Sequence, residues 1–498
     1  MPGSPRQEIV SIIDGRPVPA NAAATRLPIV DPATERQLAV LVEADASEVD
    51  AAVRAARTAF DEGPWPRMTV EERRRLLLNA RSVLLENAAE LAWLECSNSG
   101  LPIRDVRERH IPRMARNFEY YADLVDTEAG EFYEQTAGYL TLVGRQPAGV
   151  AALLAPWNAP LALASMKVAC AVATGNTCVL KPSEYTALSL FRFVELLHEA
   201  GVPPGVVNLV NGRGPVTGEA LAAHPGVDRI AFTGGTETGR RIMASASANL
   251  TPVMLELGGK SANIVFETAD LEKALDGALL GIFSNNGQQC LAGSRILVQR
   301  PVADTFIERF VARAEALRVG DPTDPDTDIG PLAYERHFRR VLSYADVARD
   351  EGARVLTGGV RLGRTGFYMQ PTAVLADPGS RVSREEIFGP FAAFHVFDTE
   401  EQAVALANDS PYGLVAYVWS EELATALRVR EGLRTGTVWI NTPLMREIRA
   451  PFGGYGDSGI GRSGGREGLA FYTETKVTTV AFRAGALRRL GRDPDEAD

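Results

Sequence analysis

From about residue 148 the chain is written as short apolar runs of strand length, each followed by a segment with helical spacing. This alternation constrains the fold more than any other feature. Gly149–Ala155 reads as a strand, a helix runs through Ala162–Thr174, and Cys178–Lys181 is a strand followed by a helix at Ala187–Ala200. Val206–Val210 is a strand, Glu219–His224 a helix, Arg229–Thr233 a strand and Gly239–Ser247 a helix. Apolar strands separated by helices pair in parallel, because the crossover that parallel pairing needs is the helix itself. The pattern predicts an α/β protein with a mostly parallel sheet and ligands at the carboxyl ends of its strands. It resumes in a second block from about 261 to 443, and residues 46–61, 70–95 and 106–124 have the spacing of amphipathic helices. There is no internal repeat, and the polar tail from Gly485 reads as frayed.

At 498 residues the chain exceeds what one small core organises, so two or three cooperating domains are expected. A net charge of −11 argues against a nucleic-acid partner, which would need concentrated basic surface. The most Arg-rich run, Glu71-Glu72-Arg73-Arg74-Arg75, follows two acids and reads as a solvated helix face. Four cysteines with no C-x-x-C pair make no disulfide framework and point to a reducing compartment. Arg6, Glu8, Asp14 and Arg16 leave no apolar core for a secretory signal. The stretch Pro147–Met166 lacks charge and is about as long as a membrane helix. Its three prolines and the Trp157-Asn158 pair would leave backbone groups unsatisfied in lipid. A buried strand, a loop and a helix start fit it better, so no membrane partner is expected and the cytoplasm is the expected location.

Several segments carry chemistry. Asn285-Asn286-Gly287-Gln288-Gln289-Cys290 places a lone cysteine among amides, which help stabilise a thiolate. Alone, the segment is better explained by a buried structural cysteine, the reading that Cys96, Cys170 and Cys178 keep. Leu255-Glu256-Leu257-Gly258-Gly259 sets a carboxylate among apolar residues, where partial desolvation would raise its pKa toward that of a general base. A glutamate solvated at a strand end is the alternative. Asn158, after Pro156-Trp157, is either a neutral donor for an oxyanion or a turn residue.

Lys181-Pro182-Ser183-Glu184 lies just past a buried strand, where nucleotide riboses usually sit. Phe232-Thr233-Gly234-Gly235-Thr236 leaves another strand and opens a helix that can admit a pyrophosphate. Both are also ordinary polar turns. Gly212-Arg213-Gly214-Pro215-Val216-Thr217-Gly218 imitates a dinucleotide fingerprint with the wrong spacing. Glu385-Glu386-Ile387-Phe388-Gly389-Pro390 and the distant Pro451-Phe452-Gly453-Gly454 have no self-evident chemistry.

Together and in this order, these segments resemble the aldehyde dehydrogenase superfamily over residues 15 to 480. The resemblance implies a Rossmann-like cofactor domain (1–127 and 147–258), an α/β catalytic domain (259–467) and a small β oligomerisation hairpin (128–146 and 468–484). The tail is 485–498, and the subunits are expected to form a homodimer or homotetramer. Cys290 would attack the aldehyde, Asn158 with the Cys290 N–H would hold the oxyanion, and Glu256 would activate water to hydrolyse the thioester. Trp157, Lys181, Ser183 and Glu184 would hold cofactor at the first sheet, with Phe232, Thr233, Gly234 and Gly235 at the pyrophosphate. Glu386 would hold the nicotinamide ribose, and Phe388 would flank the ring. A carboxylate at Glu184 accepts ribose hydroxyls and repels a 2′-phosphate, which favours NAD over NADP. The family commonly has serine where Gly235 stands, so weaker cofactor binding is expected. Gly456 replaces a lysine often found after the Pro-Phe-Gly-Gly run, with no inferred consequence.

The segments around Arg113 and Arg446 look like the branch that oxidises muconic semialdehydes, products of aromatic-ring breakdown. There the matching arginines face the substrate tunnel, and guanidinium groups grip carboxylates bidentately. Gln289 and Leu291, flanking Cys290, are expected beside the substrate, and Ala159 and Ala162 leave room. Surface or interface ion pairs are the alternative for the arginines. A broad-specificity enzyme for neutral aldehydes and a catalytically silent nucleotide-binding protein are the alternative functions. A thiol hydrolase needs a histidine base, and the five histidines lie outside these motifs. Acyl transfer to coenzyme A is disfavoured by Glu256, and no residue cluster has metal-ligand spacing.

Overall fold

A computed structural model describes residues 8–134, 136–483 and 490–491; most of the expected tail lies outside them. Two large sheets organise the chain. In the first, Val253–Glu256, Arg229–Thr233, Val150–Leu154, Thr177–Lys181 and Val207–Leu209 lie side by side in parallel. The chain moves outward from Val150–Leu154 in one direction, then returns to build Arg229–Thr233 on the other side. That reversal opens a crevice at the carboxyl ends of these two strands, the usual ligand position in such sheets. Antiparallel strands close both edges: Ile12–Ile13 and Arg16–Pro17 at one, Gly459–Ile460 at the other.

The second sheet runs Arg354–Thr357, Thr372–Leu375, Phe391–Phe397, Arg295–Gln299, Ala262–Val265, Val415–Trp419, Thr437–Ile440 and is parallel except for its first strand. Both sheets are covered by helices, so their central strands carry apolar residues on both faces. Val150–Leu154 and Arg229–Thr233 are buried throughout. Each fully buried Val, Leu, Ile or Phe contributes about 1.5–3 kcal/mol.

Three helical expectations need correction. The stretch 70–95 is two helices, Val70–Glu86 and Ala88–Ser99, because the Asn87 side chain bonds the Val83 carbonyl and ends the first. The stretch 106–124 begins with a widened π turn at Val106–His110 before Ile111–Asp126, a geometry that a 3.6-residue period does not reveal. The helix at 219–224 ends early, at Ala222 with Ala223 as its cap, and another widened turn, Gly214–Gly218, leads into it.

A third sheet stands off the body. Glu131–Tyr133, Tyr139–Pro147 and Thr473–Ala481 pair antiparallel, so the two segments expected to form a hairpin build a three-stranded sheet. Among the described residues no helix is long and apolar enough to cross a membrane.

Candidate active site

A cleft of about 770 Å³ opens between the two large sheets. It is lined by the segment after Val150–Leu154 (Pro156, Trp157, Asn158), by Lys181, Ser183 and Glu184, and by Phe232–Gly235. Leu257, Gly258 and Cys290 continue the wall, with Glu386 and Phe388 opposite. Twelve of the residues singled out in the sequence therefore share one space: Cys290, Asn158, Trp157, Lys181, Ser183, Glu184, Phe232, Thr233, Gly234, Gly235, Glu386 and Phe388.

The Cys290 loop has an unusual backbone. Asn285, Asn286 and Gly287 all have positive φ (58°, 57° and 69°), a run that side chains must hold in place. The Asn286 amide donates to Gly100 and Pro331 carbonyls, while Gly330 donates to its oxygen. The Asn285 amide donates to the carbonyls of Asn158 and Gln288. A Cβ at Gly287 would collide with the Gly389 backbone, so only glycine fits. Cys290 is half-buried, whereas Cys96, Cys170 and Cys178 are buried.

Burial pushes the Cys290 thiol up to about 12, with Glu256 and Glu386 adding to the rise and Arg446 and Arg113 opposing it. Glu256 ends the strand Val253–Glu256, held between Thr233 and Gly459. It is buried, and neither carboxylate oxygen has a hydrogen bond of normal geometry. Burial raises its pKa, while nearby Ser463, Arg446 and Lys167 hold it partly down.

Outside the cleft lining, close enough to act on the Cys290 thiol, lies a cluster of cations. Arg113 comes from the helix Ile111–Asp126 and Arg446 from the loop after Thr437–Ile440. Burial lowers Arg113 to about 9, with Arg446 next in effect, and lowers Arg446 as well. Neither makes an ion pair among the described residues; one Arg113 nitrogen has no partner, and Arg446 sits 4.2 Å over the Phe452 ring and touches Met166 sulfur. Lys167, unnoticed in the sequence because it sits in an apolar helix, adds a third cation, buried with no hydrogen-bond partner on its ammonium and lowered to about 8 by burial. Ala159 and Ala162 are buried, and Asn117 donates to the Ala162 carbonyl.

Leu291 packs beside Cys290 on Leu414, Tyr417, Trp439 and Phe452. The Gln289 amide, expected beside the substrate, is buried and donates to the Gly281 carbonyl.

The opposite wall holds residues that the sequence did not single out. Glu386 accepts the Gly259 N–H at 2.8 Å, and burial pushes its carboxyl up to about 7. Arg340 donates to the Glu386 and Ile387 carbonyls, and His337 is 2.8 Å from the Phe388 carbonyl. These bonds hold Phe388, whose φ is +64°. His337 does lie in the cleft, contrary to its place outside the motifs, yet burial lowers it to about 3, so it stays neutral and is no base. An i, i+3 His/Arg pair on one helix face was its only sequence signal.

The site fits a dinucleotide. The helix Thr236–Ser247 begins at Gly235 without a side-chain cap, leaving its first N–H groups for a pyrophosphate. The buried Thr233 hydroxyl has no partner. At the far end Lys181, lowered by burial, lies 3.9 Å from Glu184. Among the described residues no group of three His, Cys, Asp or Glu could hold a metal ion.

The aldehyde dehydrogenase family model matches residues 18–478. The 2-hydroxymuconic semialdehyde dehydrogenase of Pseudomonas sp. (strain CF600) is 44% identical, covering 95% of this chain and 99% of its own. The crystal structure of a putative aldehyde dehydrogenase from Burkholderia cenocepacia superposes with a TM-score of 0.95 at 43% identity, over 98% of this chain and 100% of that one. PnpE from Pseudomonas sp. WBC-3 is similar, with a TM-score of 0.94, 44% identity and coverage of 97% and 99%; that crystal structure contains nicotinamide adenine dinucleotide. The chain belongs to the aldehyde dehydrogenase family. It is, with that family, an NAD-linked aldehyde oxidoreductase.

Proposed function

We propose that the protein oxidises a carboxylate-bearing aldehyde of the muconic semialdehyde type to the corresponding acid. The observation that carries this reading is the pair Arg113 and Arg446. Two desolvated guanidinium groups without carboxylate partners, both acting on the Cys290 thiol, suit an anionic group on the aldehyde. The similarity to a 2-hydroxymuconic semialdehyde dehydrogenase supports it.

The chemistry follows from the residues. The Cys290 thiol is neutral at rest, so its proton leaves as sulfur attacks the aldehyde carbon, and Glu256 is the base that takes it. The Asn158 amide, with the Cys290 N–H, meets the alkoxide as charge develops. NAD supplies the hydride acceptor, with Lys181 and Glu184 on the adenosine ribose and Glu386 on the nicotinamide ribose. The resulting acyl group is a thioester on Cys290. Glu256 then activates the water that releases the acid and restores the thiol.

In this reading 1–127 and 147–258 bind cofactor and 259–467 carry the thiol. The segments 128–146 and 468–484 assemble a homodimer or homotetramer. Phe132, Tyr133, Leu142 and Val480 are exposed on that third sheet, which needs a cover. Four free cysteines suit the cytoplasm.

The test follows NAD reduction with 2-hydroxymuconic semialdehyde and with benzaldehyde for the wild type, Arg113→Ala and Arg446→Ala. Each variant is expected to raise KM for the carboxylated aldehyde by about 10- to 100-fold and to change benzaldehyde little. Equal losses on both, or a preference for benzaldehyde, would replace this reading with a broad-specificity enzyme for neutral aldehydes.

A further inference from the structure

The turn that imitates a dinucleotide fingerprint carries an ion pair at the adenosine end of the cleft. Glu43 follows the strand Gln37–Val42, and its side chain is only 5% exposed. It takes three hydrogen bonds from one residue: the Arg213 backbone N–H at 2.8 Å, Nε at 2.9 Å and a terminal guanidinium nitrogen at 2.6 Å. The Arg213 side chain is 46% exposed at the lip. Thr217 ties the same turn to Ala44, which in turn donates to Asn211. The next residues, Gly214 and Pro215, line the cleft with Lys181 and Glu184. The Lys181 stem would lie 3.6 Å from a Cβ at Gly218, so turn and lysine are in contact. Glu43 acts on the Lys181 ammonium and Glu184 on the Arg213 guanidinium, so the four charges share one field.

We propose that Glu43 sets the cofactor choice together with Glu184, by clamping the Arg213 guanidinium away from a 2′-phosphate. The proposal rests on the reading that Lys181 and Glu184 hold the adenosine ribose. Arginine is the natural fork for a phosphate, and one stands here beside the ribose. Its fork is already filled by a buried carboxylate. A 2′-phosphorylated adenosine, bringing roughly two further negative charges, meets Glu184 while the Arg213 fork is already taken by Glu43. Two cations and two carboxylates balance in the native set. Loss of the Glu43 charge leaves one positive charge in excess and opens the fork. Glu43 is a positioning residue, since it acts through Arg213. A purely structural tie would hold the turn and would affect NAD and NADP alike.

The experiment compares kcat/KM for NADP and for NAD in Glu43→Gln, Glu184→Ser, the double variant, and Glu43→Gln with Arg213→Gln. Glu43→Gln is expected to raise the NADP/NAD ratio about tenfold with KM for NAD within about threefold of wild type. The double variant should exceed either single one, and adding Arg213→Gln should erase the Glu43→Gln gain. Parallel losses on both cofactors, or a gain that survives Arg213→Gln, overturn the proposal. A rise in Glu184→Ser with none in Glu43→Gln overturns it and leaves the ribose reading standing. No change in Glu184→Ser overturns both. Should Glu43→Gln not fold, Glu43→Leu gives the same comparison, because the Arg213 guanidinium, 46% exposed, is then left to solvent and not as a buried unpaired charge.

Discussion

The Asn158 side-chain amide donates to the Gln288 carbonyl at 2.8 Å, joining residues 130 positions apart in the chain. Its second N–H is left for the cleft, two residues of backbone from the thiol. Asn158→Ala should therefore lower kcat by about 10²- to 10³-fold, as loss of one oxyanion donor does elsewhere. Steady-state kinetics checks this. A change confined to KM for NAD would assign Asn158 to cofactor binding instead.

Cofactor affinity should depend on pH through Glu386. Burial pushes this carboxyl up to about 7, and its ionised form, with both oxygens free to accept, is the stronger acceptor for ribose hydroxyls. Above pH 7 the Kd for NAD should be flat; below it, Kd should rise, by up to about tenfold per pH unit, as the carboxyl takes up its proton. Calorimetric titration from pH 5.5 to 8.5 measures this, and Glu386→Gln should abolish the dependence.

Gly235 opens the helix Thr236–Ser247 in an extended conformation, with nothing within 4 Å of a Cβ built there. A serine fits without strain and adds a hydroxyl at the helix start, where serine is a better cap than glycine. Gly235→Ser should tighten NAD by about two- to fivefold. Weaker binding would show that the helix start does not meet the pyrophosphate.

Leu142 pairs across the third sheet with Phe132, and both are exposed. A carboxylate placed there would be buried on association, at a cost of several kcal/mol. Leu142→Asp should shift the protein to a smaller species in light scattering while its circular dichroism stays native. An unchanged mass would place the subunit contact elsewhere.

Four strands of the first sheet were legible because each is buried along its length and flanked by helices, so period and length agree; its short edge strands, such as Arg16–Pro17 and Gly459–Ile460, carry no such pattern. Motifs within a few residues of a strand end, such as Lys181–Glu184 and Phe232–Gly235, were legible for the same reason: strand ends are where such folds bind. What escaped detection depends on distant chain. His337 and Arg340 lie on an ordinary polar helix face and become a wall only because the Glu386–Phe388 loop packs on it. Lys167 reads as one polar residue in an apolar helix, and its lack of a hydrogen-bond partner appears only when Glu256 and Arg446 come near. Adjacency to Cys290 gave no sign that the Gln289 amide bonds the Gly281 carbonyl. Gly212–Gly218 does line the cofactor cleft, through a widened turn rather than a fingerprint.

The central claim is that Cys290 carries the acyl group and Glu256 releases it. Glu256→Gln keeps the shape and removes the base whose affinity for a proton burial has raised. The decisive measurement mixes this variant with NAD and a carboxylated aldehyde in a stopped-flow instrument, then weighs the peptide containing Cys290. At alkaline pH, where other bases can take the thiol proton, the account expects a burst of about one NADH per subunit, very slow turnover and an acyl adduct on Cys290. Rapid turnover without an adduct, or an adduct on another residue, would contradict it.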